Sequence, residues 1–287
     1  MSTVLHSDPR PGHLYVVGTP LGNLEDMSFR AVRILQSVDL IAAEDTRHTG
    51  KLLQHFQITT PQISYHQHNR QGRTQELLHH LQVQHQAVAL VSDAGMPGIS
   101  DPGQELIAAC IDAGVPVVPI PGPTAAITAL CGSGLASDRF LFEGFLPPKG
   151  RDRRDRLTAL LREDRTMVFY EAPHRLVQTL TDLAATLGED RPIALGRELT
   201  KRFEEFWRGH LGEALAHYQQ QAPKGEFTLV VAGAVQTVAG ISDQALQQEL
   251  VRLLQQGLSR SEASRQLAHS TGQPRRLIYR LALDITP

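Results

Sequence analysis

Along the first half of the chain, short apolar runs alternate with segments whose apolar positions recur every three or four residues. The runs at 14–17, 40–43, 63–65, 88–91 and 115–120 favour β-branched side chains and predict buried strands. The periodicity between them predicts helices. One is entered near Asp26 or Ser28, with Phe29, Val32, Ile34 and Leu35 on its apolar face. Others run through Leu52, Leu53 and Phe56, over 74–84, over 104–113 and after Pro123. So strict an alternation predicts a mainly parallel sheet with helices over both faces. The stretch 132–138 (GSGLASD) reads as a linker. A second α/β unit follows, with strands near 140–144, 167–170, 193–196 and 227–232 and helices near 153–162, 175–187 and 211–221. From 241 the pattern changes to three short helices. Ser242 caps the first and Gly257 ends it; Ser259 and Glu262 form a capping box for the second; Pro274 begins the third. Turns this short resemble a helix-turn-helix. The expected domains are therefore 12–135, 136–238 and 241–287.

One stretch organises the rest. After the strand at 88–91, the loop from Asp93 to Gly103 packs three glycines, two prolines and two aspartates ahead of a helix. Glycine opens backbone geometries closed to other residues, and proline fixes φ and removes an N–H. Such a loop is stiff and brings bare backbone to the carboxyl end of a strand, where open α/β sheets bind ligands. The glycines after the first strand are a different matter. Gly18 and Gly22 do not have dinucleotide-loop spacing, and Pro20 removes an N–H that a phosphate cradle needs. No Gly-Lys-Ser/Thr sequence closes a glycine-rich loop, which argues against nucleotide hydrolysis.

Composition narrows the picture further. A chain of 287 residues exceeds one comfortable core, and 41% apolar with 20% charged residues describes an ordinary water-soluble protein. No run is long enough to span a bilayer, and 1–12 lacks the apolar core of a signal peptide. Cys110 and Cys131 both sit in apolar contexts, so two buried thiols in a reducing cytoplasm are expected, without a disulfide or metal framework. The histidines at 66, 68, 79, 80 and 85 lie on polar segments and read as solvated surface; no metal site is expected. A formal charge of −2 requires any anionic partner to meet a local basic surface. Two such surfaces stand out. One is the run 149–156, in which Lys149, Arg151, Arg153 and Arg154 either pair with nearby acids along a helix or clamp phosphates. The other is Arg275, Arg276 and Arg280. Charged strings at 170–175 and 197–205 follow buried strands, where they are placed to line a cleft.

The motifs then fall into a known order: GTPLGN at 18–23, EDTRHTGKLL at 44–53, SDAGMPGISDPG at 92–103, PGPTA at 121–125, GFLPPKG at 144–150, YEAPHR at 170–175 and RELTKRFEE at 197–205. Together they resemble the tetrapyrrole methylase superfamily, in its branch that modifies ribosomal RNA, over almost the whole chain. The resemblance implies an α/β fold of two domains with S-adenosylmethionine in the cleft between them, a small C-terminal helical domain and a homodimer. It further implies methylation of the ribose 2′-hydroxyl of a decoding-centre cytidine in small-subunit ribosomal RNA, free or in the assembled subunit.

Carried over position by position, the cofactor contacts fall on Pro20, Leu21, Ala94, Gly95, Ile99, Thr124, Ala125, Glu171 and Leu199. The chain departs from the superfamily's G-x-G-P-G-D at 18–23 and from its Gly-Asp-Pro at 95–97, which counts against a porphyrin-like substrate. Methyl transfer to a hydroxyl needs alignment and a group to accept or share the proton. Asp45 is the leading expectation for that role, with Glu44 second; Arg47 and Lys51 would hold the neighbouring phosphate, and Glu198 and Lys201 would serve from the opposite wall. Phosphate contacts are expected from Lys149, Arg151, Arg153, Arg154, Arg175 and Arg202. Two alternatives stay open: a superfamily member acting on a tetrapyrrole or a protein side chain, and a DNA-binding regulator with a metabolite-sensing α/β body.

Overall fold

The structure is a computed structural model, described for residues 9–234, 243–271 and 275–285. Five strands, β1 (Leu14–Val17), β2 (Leu40–Ala43), β3 (Gln62–Ser64), β4 (Val88–Val91) and β5 (Val117–Ile120), pair in parallel in the order β3-β2-β4-β1-β5. Side chains alternate across a strand, so a strand covered on both faces must be apolar throughout. Accordingly, Tyr15 and Val17 of β1 and Ala89 and Val91 of β4 enter one core, while Leu14, Val16, Val88 and Leu90 enter another. Four helices pack around this sheet: α1 (Phe29–Ser37), α2 (Thr46–His55), α3 (Arg70–Gln82) and α4 (Gln104–Asp112). Ser28 caps α1 by accepting from the Ala31 N–H. From β1 the chain crosses to β2 on one side, and from β4 it crosses to β5 on the other. The crevice at a strand's carboxyl end is widest where two neighbours part in this way, and β1 and β4 are that pair.

The helix α5 (Ala125–Ser133) precedes the expected linker, yet its Ala126, Ala129 and Leu130 share a core with Val168, Ala194 and Val230 of the second sheet. Packing that face inward turns Cys131 outward. This corrects the expectation of two buried thiols: Cys110 is buried and Cys131 is exposed.

The second sheet contains β6 (Phe140–Phe145), β7 (Thr166–Glu171), β8 (Pro192–Arg197), β9 (Glu205–His210) and β10 (Phe227–Val231), ordered β6-β7-β10-β8-β9. Only β6 and β7 run parallel; β7–β10, β10–β8 and β8–β9 are antiparallel. The parallel arrangement expected from the first half therefore does not extend here. The short connection from β8 to β9 contains no helix, and so short a link can only reverse direction. Strand β9 escaped the sequence reading because it is a half-exposed edge strand carrying Glu205, Arg208 and His210. Helices α6 (Gly150–Ala159), α7 (Pro173–Leu187) and α8 (Leu211–Gln220) complete this half.

The chain divides into two compact units, one ending at Gly233 and one beginning at Ala234. In the second unit α9 (Asp243–Gln255), α10 (Arg260–Thr271) and α11 (Arg275–Leu283) bury Leu246, Leu250, Leu253, Leu267 and Ile278 together. Its capping box is present: the Ser259 N–H donates to Glu262 Oε2 at 3.0 Å, and the Glu262 N–H donates to Ser259 Oγ at 3.3 Å. Gly257 adopts φ +88° after α9. Ser242 and Pro274 lie outside the described residues.

Candidate active site

The loops leaving β1 and β4 are knitted together. Thr19 and Gly95 exchange backbone hydrogen bonds of 2.9 and 3.0 Å, and Thr19 Oγ1 donates to the Ser92 carbonyl at 3.0 Å. Glycine is required for this approach. A Cβ on Gly18 would lie 2.6 Å from Met96 Sδ and 2.8 Å from Gly122 Cα, so the β1 loop, the β4 loop and the turn before α5 meet backbone to backbone. Within the β4 loop, Gly95 and Ser100 take φ of +84° and +62°. Ser100 pays on the order of 1 kcal/mol for that conformation, the kind of strain that collects at working sites. Glu198 and Thr200, at φ +49° and +67°, flank Leu199 on the opposite wall.

Between the two sheets these segments enclose a cavity of about 350 Å³. Its floor is Leu21 with Ala94, Gly95, Met96 and Ile99; Thr124 and Ala125 close one end; Phe145, Glu171 and Leu199 come from the second sheet. Asp101 lies on its rim, and Asp101 and Ser100 also line an adjoining polar cleft of about 460 Å³ with Glu44, His66, His68 and Arg70. Burial, reinforced by the negative charges of Glu44, Asp93 and Glu226 and opposed by a Ser92 hydrogen bond, raises the Asp101 carboxyl to about 7. Glu44 is raised in the same sense, mainly by burial, while its Oε2 accepts the Asp93 N–H at 3.2 Å. In the polar cleft His66 Nδ1 is buried without a hydrogen-bond partner.

Known proteins with this construction were found by sequence and by fold. The model of the tetrapyrrole (corrin/porphyrin) methylases matches residues 13–215. The chain belongs to that family. Proteins named ribosomal RNA small subunit methyltransferase I are similar to it almost end to end. One from Synechocystis sp. is 62% identical, covering 96% of this chain and 98% of that protein. One from Escherichia coli O157:H7 is 48% identical, covering 97% of each. Among solved structures, uroporphyrin-III C-methyltransferase from Thermus thermophilus, complexed with S-adenyl homocysteine, superposes with a TM-score of 0.55. It is 19% identical and covers 76% of this chain and 96% of its own. Cobalt precorrin-4 methyltransferase gives a TM-score of 0.57 at 13% identity, covering 77% and 95%. At such identities the structural likeness speaks for the methylase fold alone.

Of the methylase cofactor positions read from sequence, Leu21, Ala94, Gly95, Ile99, Thr124, Ala125, Glu171 and Leu199 all face the one cavity, and Pro20 is buried beside it. Glu171 is fully engaged. Its Oε2 accepts from Thr179 Oγ1 at 2.5 Å, its Oε1 accepts the Ala172 N–H at 2.9 Å, and Arg175 stands 3.4 Å away. Arg175 also donates to the Leu146 carbonyl at 2.6 Å.

The expected catalytic group is dispersed. Asp45 is the N-cap of α2. Its Oδ1 accepts the Arg47 N–H at 2.8 Å, its Oδ2 lies 2.7 Å from Arg47 Nη2, and these bonds hold the carboxyl below the usual range. Lys51 is exposed on α2. Lys201 lines the cavity, with Nζ 3.1 Å from Glu198 Oε1 and 2.8 Å from Glu226 Oε2. Burial alone would raise Glu198; the Glu226 N–H and the Lys201 ammonium outweigh it and hold Glu198 low.

The basic cluster also splits. Lys149, Arg151, Arg154 and Arg202 are exposed, whereas Arg153 is buried. Arg153 donates to Asp182 Oδ2 at 2.7 Å, to the Pro147 carbonyl at 2.9 Å and to Thr179 Oγ1 at 2.9 Å, which leaves it turned away from any phosphate at the surface. Asp101 was missed as a site residue. The signal was available: it is the second acid of the β4 loop, three residues beyond Gly98.

Among the described residues no group of three potential metal ligands comes together, and no helix is long and apolar enough to cross a membrane.

Proposed function

We propose that this chain is a cytoplasmic, homodimeric methyltransferase that uses S-adenosylmethionine to methylate the ribose 2′-hydroxyl of a cytidine in the decoding centre of small-subunit ribosomal RNA. The observation that carries this reading is the 62% identity over 96% of the chain with a relative named for small-subunit ribosomal RNA, a span that includes the cavity and the C-terminal helices. The cavity suits the donor. Leu21, Ile99, Phe145 and Leu199 provide apolar walls, and Ser100, Thr124 and Thr228 add hydroxyls, a mixture that matches a purine, a sugar and an amino-acid end. Bound there, S-adenosylmethionine supplies an electrophilic methyl carbon on a good leaving group.

The protein's contribution is alignment and exclusion of water. The β1 and β4 loops are braced by the Thr19–Gly95 bonds, and the stem of Lys201 lies where a Cβ on Gly22 would meet it at 2.4 Å, tying the two walls together. Lys149, Arg151, Arg154 and Arg202 are the exposed cations offered to RNA phosphates, with Arg47 and Lys51 beside the β2 end. Homodimerisation is supported by apolar side chains left at the surface, including Ile127 at 47% and Phe203 at 66% exposure. The test is transfer of labelled methyl groups to purified unmodified small subunits, free ribosomal RNA and tRNA in parallel, followed by nuclease mapping. Label at a 2′-O-methylcytidine of the small-subunit RNA is expected; label absent from every RNA overturns the reading.

A further inference from the structure

We propose that Asp101 is the group that accepts the proton of the attacking hydroxyl, and that the acceptor nucleotide reaches it through the polar cleft lined by Glu44, His66, His68 and Arg70. The inference rests on the methyltransferase reading above and deepens it. Its ground is position. Asp101 belongs to the walls of both spaces, the cavity assigned to the methyl donor and the adjoining cleft, so a group entering from the cleft meets the donor across this carboxylate. The loop that carries it is rigid: Ser100 is held at φ +62°, the Gly98 N–H donates to the Pro102 carbonyl, and the flanking Gly103 has a Cβ position 3.0 Å from Leu90 Cδ2. A base so anchored keeps its place without paying ordering entropy at each turnover.

The two acids nearest it are already committed. Asp45 is bonded twice over to Arg47, and Glu44 accepts from the Asp93 N–H. The cleft itself is polar, and the buried His66 Nδ1 offers a nitrogen to an incoming sugar or base. In the step, a bond forms between the acceptor oxygen and the methyl carbon as the carbon–sulfur bond breaks. The hydroxyl proton passes to Asp101, and solvent removes it after product leaves.

The groups facing Asp101 are Glu44 and Asp93 from the β2 and β4 loops, Glu226 and Lys201 from the second-sheet wall, the hydroxyls of Ser92 and Tyr170, and the cations of the cleft. A base ionising near neutrality predicts turnover that rises with pH up to about 7 and then levels.

The experiment measures kcat on unmodified small subunits from pH 5.5 to 9 with the full chain, together with donor affinity by calorimetry. Asp101→Asn is expected to lose about 10²-fold or more in kcat, with donor Kd within threefold of the parent. Ser92→Ala guards against a merely misfolded variant. It removes a hydrogen bond that favours the carboxylate, so the acid limb should move to higher pH. His68→Glu, which sets a negative charge at the cleft mouth, should raise KM for subunits about tenfold while donor affinity holds.

If the parent labels ribosomal RNA but Asp101→Asn keeps more than a third of its kcat, the base assignment fails and the methyltransferase reading stands. A loss confined to donor affinity makes Asp101 a donor contact and also overturns it. An unchanged KM in His68→Glu removes the cleft from the acceptor's path. A parent that labels no RNA sinks both readings together.

Discussion

The loops that follow β2 and β4 lie side by side, each delivers an acidic pair to the carboxyl edge of the same sheet, and they are laced together. The Asp45 N–H donates to Asp93 Oδ1, and the Asp93 N–H donates to Glu44 Oε2, both at 3.2 Å. Their carboxylates nonetheless end in opposite states. After β2 the chain turns at once into a helix, and Asp45 caps it and pairs with Arg47, so its proton affinity falls. After β4 the chain makes a longer glycine-proline excursion before α4, and Asp101 ends up partly buried among other acids, so its proton affinity rises. The difference teaches that a carboxylate at a strand end is not thereby a base. What its oxygens are bonded to, and how much water reaches it, decide which work it can do.

Replacing both acids puts the comparison at risk where its effect is largest. Asp45→Ala should keep kcat within about threefold of the parent, against the hundredfold or greater fall expected for Asp101→Asn. Single-turnover methyl transfer on small subunits reads both, and a reversed order would return the catalytic role to the β2 loop.

The β4 loop owes its shape to the β1 loop beneath it, and Gly18→Ala tests that dependence. A Cβ there collides with Met96 and Gly122, so stability should fall by about 1–3 kcal/mol and donor affinity at least tenfold. Chemical denaturation and calorimetry measure the two. Unchanged donor affinity would separate the loop contact from the cavity.

The smallest effects concern stability, and they have opposite signs. Asp45→Ala loses a helix cap and should lower the thermal midpoint by about 2–4 °C. Asp101→Asn should raise it at pH 8. The folded carboxyl titrates near 7 against 3.8 when unfolded, so the wild type's contribution is fully present below pH 3.8 and is lost as pH rises through about 7. The neutral amide escapes that loss, and its advantage should vanish when the melts are repeated at about pH 3.5. A gain independent of pH would mean that Asp101 is not held protonated by its surroundings.

Much of this architecture was legible in the order of residues. Each strand of the first sheet is buried on both faces, and that leaves an unbroken apolar run such as Val88–Val91. Stiff loops advertise themselves through glycine and proline, and for this reason eight of the nine expected cofactor positions meet in one cavity although they lie on five separate segments. Where one face of an element is wet the signal thins. The edge strand β9 reads as a charged string, and α5 reads as belonging to the first half although its small side chains pack on the second sheet.

Chemistry at individual side chains was settled only in three dimensions. Arg153 and Arg154 are neighbours in one basic run, but helical geometry turns the first inward to Asp182 and leaves the second in water. Asp45 and Asp101 look equally acidic on paper. A residue's type states which charges it can carry. Whether it carries them depends on partners brought from distant segments and on the water they displace, and a linear string holds neither distance nor dielectric.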